Sequence, residues 1–318
     1  MSDLSSPMFH DEAKAREWLE ARIWANGRRC PHCGVIDQST LLQGETTRPG
    51  LYQCNACREP FTVTVGTLYE RSHIALNKWL AATHLLMASK KGMSALQISR
   101  MLGLPYKTAW FMCHRIRESL RETMPEAGPL GGKNKVVEAD ETYVGGKETN
   151  KHKNKRQPGR QGGKGKEPVL SLVERGGKVR SKHVADVSAK TLREAIVTEA
   201  DRASYLMTDD AAVYTKTGEE FAGHGTVNHS AEEYVRAYFW HTNTVEGYFS
   251  ILKRGIMGTY HHVSAEHLHR YLAEFDYRYN ERSALGVNDA ERMAKSVQGI
   301  VGKRLTYRRT GARANGEA

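Results

Sequence analysis

The sequence predicts an α/β protein in which a zinc ribbon and a helix-turn-helix-like helical region precede a larger domain of strands and helices. Three observations predict it: two Cys-x-x-Cys pairs, helical periodicity from residue 77 to about 123, and strand patterns that begin at residue 135. Because strands, a helix, a further strand and more helices follow one another, the last region is expected to form an α/β layer domain. A chain of 318 residues has room for two or three domains.

Changes in composition and periodicity predict the domain boundaries. The N-terminal helix, ribbon, helical region, α/β domain and basic tail are predicted at residues 1–24, 25–68, 69–125, 126–300 and 301–318. Residues 147–166 are rich in Lys, Arg, Gly, Asn and Gln, and they predict a mobile basic insertion inside the α/β domain. Such a loop either clamps a phosphate backbone or is a solvated insertion without a partner.

The charge balance favours a polyanionic partner. The chain has 47 Lys and Arg against 36 Asp and Glu, a formal net charge of +11. Neutralised phosphates release counterions, so double-stranded DNA is the expected partner, although a basic surface without a partner remains the alternative. The sequence shows no apolar run of about twenty residues and no signal peptide, so a cytoplasmic location without a membrane span is expected.

Four of the five cysteines form two pairs, Cys30-Pro-His-Cys33 and Cys54-Asn-Ala-Cys57. Each pair offers two thiolates from one tight turn, which is the pattern of a tetrahedral structural Zn²⁺ site. A redox-active pair would need a strand-to-helix context that is missing here. Cys113 stands apart and is predicted to be a buried helix residue.

The stretch from Ser94 to Trp110 has a helix-turn-helix layout: a short helix from Ala95 to Leu102, a turn at Gly103 and a longer helix from Tyr106 to Leu120. A plain three-helix packing unit with a solvated basic face is the alternative. If the longer helix meets DNA, the candidate contacts are Lys107, Thr108, His114, Arg115 and Arg117.

The α/β domain is predicted from short periodic segments. Strands are expected at residues 135–140, 168–173, 182–187 and 204–207, and helices at 189–200, 231–238, 243–254 and 264–281. In the helix that begins at Asn243, one arc is polar and the opposite side is apolar. The polar residues are Asn243, Glu246, Ser250 and Lys253, and the predicted core residues are Val245, Tyr248, Phe249, Leu252 and Ile256.

Three acidic residues fall where α/β domains present catalytic groups. Asp140 closes the first strand, Asp209 follows the last strand, and Glu246 lies in the first turn of a helix. Three such carboxylates can hold two divalent ions, and hard oxygen ligands favour Mg²⁺ or Mn²⁺. Lys253, two turns beyond Glu246, would then hold the DNA backbone.

Each of these residues also has a structural interpretation. Asp140 can be an exposed residue of an alternating strand, and either Asp209 or Asp210 can cap the following turn. Asn243 and Glu246 fit a capping box, in which Glu246 would turn back toward its own backbone. Spacing alone leaves these alternatives open.

Three longer blocks resemble the catalytic blocks of bacterial insertion-sequence transposases, in the 1595 family of insertion sequences. They are Val137-Glu-Ala-Asp-Glu-Thr-Tyr-Val-Gly-Gly-Lys147, Thr208-Asp-Asp-Ala-Ala-Val-Tyr214 and the stretch from Asn243 to Ser264. The resemblance runs from the ribbon to about residue 295. It implies an RNase H-like fold and a DDE triad of Asp140, Asp209 and Glu246.

The same resemblance implies further roles along the chain. Lys253 matches the family's trailing basic residue, and with the adjacent Arg254 it is expected to contact DNA. Asp209 is preferred over Asp210 because it follows the strand and keeps the family's Thr-Asp order. Asn228 and His229 correspond to a His and Asn that the family carries between the second and third blocks.

The implied activity is DNA transposition. The protein would bind the terminal inverted repeats of its element in bacterial cytoplasm, cleave phosphodiester bonds and join the 3′-hydroxyl ends to target DNA with two Mg²⁺ or Mn²⁺ ions. At least a dimer on DNA is expected, because two ends are joined. The alternatives are a non-catalytic DNA-binding regulator and a metal-dependent nuclease that cuts without joining.

Overall fold

The computed structural model describes residues 4–121, 128–146, 152–156, 163, 165–227 and 241–306. These residues divide into two compact units. The first unit contains the chain up to Ala88, Ala95–Leu120 and the chain from Asn288, and the second contains Ser89–Ser94 and Arg121–Val287. No described helix combines the length and the apolarity needed to cross a membrane.

The first unit begins with a helix and a small sheet. Helix α1, Glu12–Ile23, starts where the Asp11 side chain accepts a hydrogen bond from the backbone of Lys14 over 2.9 Å, the usual N-cap arrangement. An antiparallel sheet follows in the order β1–β2–β3, with strands Ser39–Leu41, Tyr52–Cys54 and Pro60–Phe61. Tyr52, Phe61 and Trp24 pack around this sheet, so aromatic side chains supply much of its small core.

Three further helices complete the sequential part of the first unit: α2 at Leu76–Ala88, α3 at Ala95–Leu102 and α4 at Tyr106–Ser119. The turn between α3 and α4 uses Gly103 at φ +60°, a conformation that residues with a Cβ disfavour. Pro105 precedes the first residue of α4, where its missing N–H leaves no hydrogen bond unmade. The predicted helix–turn–helix order is therefore present, and Cys113 is buried in α4 as expected.

The last described helix of the chain, Asp289–Gln298, belongs to the first unit. Arg292 on this helix donates to the carbonyl oxygen of Met87 at the end of α2 over 3.1 Å, and Leu68 donates to Ile300 over 3.0 Å. The sequence predicts this segment as part of the α/β domain, with that domain ending at residue 300. The difference arises because these contacts join residues more than 200 positions apart, which local periodicity does not reveal.

The second unit is built on a mixed five-stranded sheet in the order β6–β5–β4–β7–β8. The strands are β4 Val136–Val144, β5 Glu167–Glu174, β6 Val179–His183, β7 Tyr205–Asp209 and β8 Gly223–Val227. Strands β4, β5 and β6 pair antiparallel, whereas β7 and β8 run parallel to β4. The carboxyl ends of β4 and β7 therefore lie at the same edge of the sheet.

Helices cover both faces of this sheet. Helix α5, Ala189–Glu199, packs on the face that holds Val137 and Ala139, together with the short helix α6, Thr215–Gly218. Helices α7, Asn243–Gly255, and α8, Ala265–Asn280, pack on the opposite face against Val169 and Val173. The apolar stripe predicted for α7 is confirmed, since Val245, Tyr248, Phe249, Leu252 and Ile256 are all buried.

Three strand predictions were imperfect. The strand predicted at 135–140 begins at Val136 and continues to Val144 through its pairing with β5, so Asp140 lies in the middle of the strand and does not close it. The strand predicted at 182–187 ends at His183 and begins at Val179, because its pairing with β5 sets the register. Strand β8 was missed: its sequence Gly-His-Gly-Thr-Val has little intrinsic strand preference, and pairing with β7 determines its conformation. The helix predicted at 231–238, most of the 147–166 insertion, Asn228, His229 and the tail from residue 307 lie outside the described residues.

Candidate functional site

Four cysteine sulfurs of the first unit form a metal-sized cluster. Within the described ranges, Cys30, Cys33, Cys54 and Cys57 are the group of metal-binding side chains whose ligand atoms all lie within 4.8 Å of one another. The Sγ atoms of Cys30 and Cys57 are 3.7 Å apart, and those of Cys33 and Cys54 are 3.6 Å apart. Sulfurs about 2.3 Å from a shared Zn²⁺ would be separated by about 3.8 Å in a tetrahedron, so the spacing fits zinc.

The local backbone favours the thiolate form of one of these cysteines. The N–H groups of Cys57 and Ala56 lower the pKa of the Cys54 thiol to about 6, because hydrogen bonds stabilise the thiolate. Gly34 at φ +81° makes the turn after the first pair, a conformation that glycine adopts readily. A site closed by four thiolates leaves no open position for a substrate, so its role is structural.

Asp140 lies in the middle of β4, opposite Ser171 on β5 and on the sheet face covered by α7 and α8. Burial raises the pKa of its carboxyl to about 7, with contributions from the negative charges of Glu141, Asp209 and Glu246. The backbone N–H of Glu141 opposes this rise by donating to Asp140 Oδ1 over 2.7 Å. The Asp140 carboxyl is therefore a half-buried group surrounded by other acids. A bound cation would offset the repulsion between these negative charges.

Asp209 ends β7 at the same level of the sheet as Asp140. Glu138 pairs with Met207 across the parallel β4–β7 ladder, and Asp140 and Asp209 each lie two residues further along. Asp209 Oδ1 also accepts from the backbone of Ala211 over 3.1 Å, so its turn-capping interpretation holds alongside any metal role. Asp210, one residue beyond the end of β7, is exposed.

Glu246 is exposed in the first turn of α7, and the capping-box interpretation is wrong. Thr242 occupies the N-cap position, so Asn243 is the first helical residue and Glu246 the fourth. The hydroxyl of Thr242 donates to Glu246 Oε1 over 3.1 Å and orients the carboxylate. Glu246 is thus held in the first turn of the helix by the N-cap hydroxyl.

The three carboxylates approach one another without closing around one point. At least one pair of their oxygens stands more than 4.8 Å apart, because Asp140, Asp209 and Glu246 do not form a described group within that limit. Their oxygen donors nevertheless suit a hard cation, and the charges of Asp209 and Glu246 both act on Asp140. The donor chemistry fits divalent ions such as Mg²⁺ or Mn²⁺.

Basic residues follow Glu246 along the exposed side of α7. Lys253 is exposed, with its Nζ 5.9 Å from the centre of the Phe249 ring. The Arg254 guanidinium bonds to Ser250, through Nε to the carbonyl oxygen at 3.0 Å and through Nη2 to Oγ at 2.8 Å. Glu246, Ser250, Lys253 and Arg254 therefore share one polar strip on the helix surface.

The predicted DNA contacts of α4 are only partly accessible. Lys107 is exposed and Thr108 is half-buried. The expectation for Arg115 is wrong in this structure: its side chain is 9% exposed and donates to the carbonyl oxygen of Glu70 over 2.7 Å. His114 and Arg117 are buried as well. The sequence predicted an exposed basic face on α4, but most side chains in the second half of this helix are buried.

Sequence reasoning also missed three residues that surround the carboxylates. Glu138 on β4 was not among the predicted site residues, and it is fully buried, with 0% exposure. Tyr214 donates its phenolic hydrogen to Glu141, and burial raises the Tyr214 pKa. Thr242 was not considered at all. One signal was present for Glu138, since it stands between apolar residues in Val136-Val-Glu-Ala and shares the face of Asp140.

Comparisons with known proteins agree with the resemblance seen in the sequence. A family model for the ISXO2-like transposase domain matches residues 129–280, and one for the transposase zinc-ribbon domain matches residues 10–59. A relative from Halobacterium salinarum, described as "Uncharacterized protein in transposable element ISH50", is 29% identical over 285 residues. That match covers 85% of this chain and 91% of the relative.

Proposed function

We propose that this chain, a member of the 1595 family of insertion-sequence transposases, cuts DNA at the ends of its element and joins the freed 3′-hydroxyls to target DNA. The observation that carries the proposal is the arrangement of Asp140, Asp209 and Glu246. Asp140, in the middle of β4, lies level with Asp209 at the end of the neighbouring parallel strand β7, and Glu246 lies in the first turn of a helix packed on the same face. Oxygen ligands in such a group suit phosphodiester chemistry with divalent ions.

Asp140 is the central residue of this site. Its pKa is raised by the charges of both Asp209 and Glu246, so these three carboxylates are the residues that would hold the divalent ions. When bound, the two ions would activate the attacking oxygen and stabilise the leaving oxygen during in-line displacement.

The protein's own residues would position the DNA. Thr242 orients the Glu246 carboxylate, and Lys253 and Arg254, on the same exposed strip of the helix, would contact the phosphate backbone. We propose that the zinc ribbon and the α3–α4 pair recognise the element ends, with exposed Lys107 and half-buried Thr108 as contacts. Joining two ends would require at least two protomers on the DNA.

The proposed architecture is an RNase H-like catalytic domain that follows the two recognition elements in the sequence. The sheet order β6–β5–β4–β7–β8, with three antiparallel strands followed by two parallel ones, supports it. The domain boundaries predicted from the sequence are proposed with one adjustment, since the helix at Asp289–Gln298 packs with the first unit.

Labelled element-end DNA, incubated with the purified protein and Mg²⁺, distinguishes the proposal from its alternatives. We expect cleaved DNA and joined products. Cleaved products alone would indicate a nuclease, and bound but intact DNA would indicate a regulator. Glu246→Gln is expected to abolish both products while DNA binding persists. Glu266→Gln changes another exposed first-turn glutamate, in α8, and is the matched control that should keep activity.

A further inference from the structure

Glu138 is a fully buried carboxylate two residues before Asp140 on the same strand and the same face. A buried carboxylate is expensive unless every oxygen is hydrogen-bonded and the charge is paired. Arg175 supplies the pairing, with its Nε 2.6 Å from Glu138 Oε1. The other partners of Glu138 come from the start of helix α7 and from His241 just before it, whose Nδ1 lies 3.3 Å from Glu138 Oε1.

Glu138 caps helix α7 from outside the helix. Its Oε2 accepts from the backbone N–H groups of Thr244 at 2.8 Å and Val245 at 3.0 Å, and Oε1 accepts from the Thr244 hydroxyl at 2.8 Å. These N–H groups belong to the first turn, where backbone donors lack partners within the helix and the helix dipole favours negative charge. The N-cap residue Thr242 makes no capping bond with its own side chain, so the strand supplies the cap.

Arg175 extends the same connection to the chain that enters the helix. Its Nη2 donates to the carbonyl oxygen of His241 over 2.7 Å, while its Nε holds Glu138. One ion pair thus fixes both the residue before the N-cap and the first turn of α7. Glu246 immediately follows Val245, so its position relative to Asp140 depends on this pair.

We propose that Glu138 is a positioning residue that sets the separation between the carboxylates of Asp140 and Glu246. The inference rests on the proposed function, because it concerns the metal affinity of that site. Glu138 touches neither metal nor DNA; it acts by joining the strand that carries one ligand to the helix that carries the other. Outer groups that orient metal ligands typically change affinity by about 10- to 100-fold.

The test is direct Mn²⁺ binding, followed by the electron paramagnetic resonance signal of free Mn²⁺ with zinc retained in the ribbon. Glu138→Gln keeps the side-chain size but removes the charge, and we expect Mn²⁺ affinity to fall about tenfold. The Mn²⁺ concentration for half-maximal strand transfer should rise by the same factor, with the rate at saturating Mn²⁺ changed less.

Glu199→Gln is the matched control. Glu199 is 4% exposed and pairs with Arg180, whose Nη1 lies 3.1 Å away, and with Lys182, but it does not contact α7. Because the role of Glu199 is only structural, Glu199→Gln should lower the melting temperature and leave the Mn²⁺ affinity unchanged. If Glu138→Gln behaves like Glu199→Gln in both measurements, the positioning role is overturned.

A second variant covers the case in which Glu138→Gln does not fold. Thr244→Val removes the hydroxyl bond to Oε1 and keeps both N–H bonds, so we expect a loss of Mn²⁺ affinity of about threefold, smaller than for Glu138→Gln. Unchanged affinity in Thr244→Val would then refute the proposal. If the wild-type protein and Asp140→Asn bind Mn²⁺ equally, the proposed function itself fails, which is a separate outcome.

Discussion

The backbone N–H of Glu141 donates to Oδ1 of Asp140 over 2.7 Å, yet the pKa of that carboxyl is still raised to about 7. Burial and three neighbouring acids therefore outweigh a favourable hydrogen bond. Without a bound cation, burial and the neighbouring negative charges disfavour the ionised form of Asp140. This lowers the stability of the folded protein at pH values where Asp140 is ionised.

Asp140→Asn should stabilise the metal-free fold. Because the folded-state pKa lies above the ordinary value of 3.8, the native protein binds more protons than the unfolded chain between about pH 4 and pH 7, so stability falls as pH rises through that window. In buffer free of added divalent ions at pH 8, the variant should melt about 4 °C or more above wild type. The difference should narrow at pH 5.5.

Adding Mg²⁺ at pH 8 completes this prediction. The ion should raise the melting temperature of the wild-type protein and have little effect on Asp140→Asn, as seen by differential scanning calorimetry. Asp210→Asn is the control, because Asp210 is exposed and should leave the Mg²⁺ response unchanged. Equal Mg²⁺ shifts in wild type and Asp140→Asn would contradict binding at this carboxyl.

Two glycines of helix α7 predict opposite responses to alanine. A Cβ at Gly255 would overlap the ring of Phe275 and lie 2.8 Å from the carbonyl oxygen of Lys91, so Gly255→Ala should lower the free energy of unfolding by about 1–3 kcal/mol. A Cβ at Gly247 would meet no atom within 4 Å. Gly247→Ala should therefore raise the free energy of unfolding by about 0.5–1 kcal/mol, because alanine has the higher helix propensity.

Urea unfolding of both variants checks the pair. Only the sign of the change separates the two positions, since each substitution adds one methyl group to the same helix. If Gly247→Ala lowered the free energy of unfolding, that result would contradict the open space that the structure shows beside Gly247.

Removing one ribbon thiolate should release zinc. Cys54→Ser is expected to reduce bound zinc from one equivalent to nearly none and to unfold the ribbon, because four-thiolate sites supply folding energy to such small domains. Elemental analysis measures the zinc, and Trp24 fluorescence reports the packing around Tyr52 and Phe61. Cys113→Ala, in helix α4, should retain the full equivalent.

Lys107 and Arg115 should separate DNA binding from stability on the same helix. Lys107→Ala removes an exposed charge, so the slope of log affinity against log salt should decrease by about 1 with no change in melting temperature. Arg115→Ala removes a side chain packed between Trp79 and Phe111 and bonded to Glu70, so its melting temperature should fall. Fluorescence anisotropy over a salt series would reject the assignment if Arg115→Ala altered the slope and Lys107→Ala did not.

Local patterns predicted much of the fold and part of the site. The spacing within Cys30–Cys33 and Cys54–Cys57 was sufficient for the zinc cluster, because each pair lies in one short turn whose geometry depends on few residues. The α7 stripe was predicted for a similar reason, since 3.6-residue periodicity is a local property. Strand β8 was not, because its partner strand rather than its composition makes it a strand.

The sequence by itself determined which residues can ligate: four thiolates, a run of acids, and a helix with one polar side. The tertiary structure decided how they are used. It aligned Asp209 rather than Asp210 with Asp140, buried Arg115, and made the buried Glu138 the cap of helix α7. The physical reason is that burial, register and capping depend on contacts between elements far apart in the chain, 107 positions in the case of Glu138 and Val245, and such packing is not encoded in local spacing.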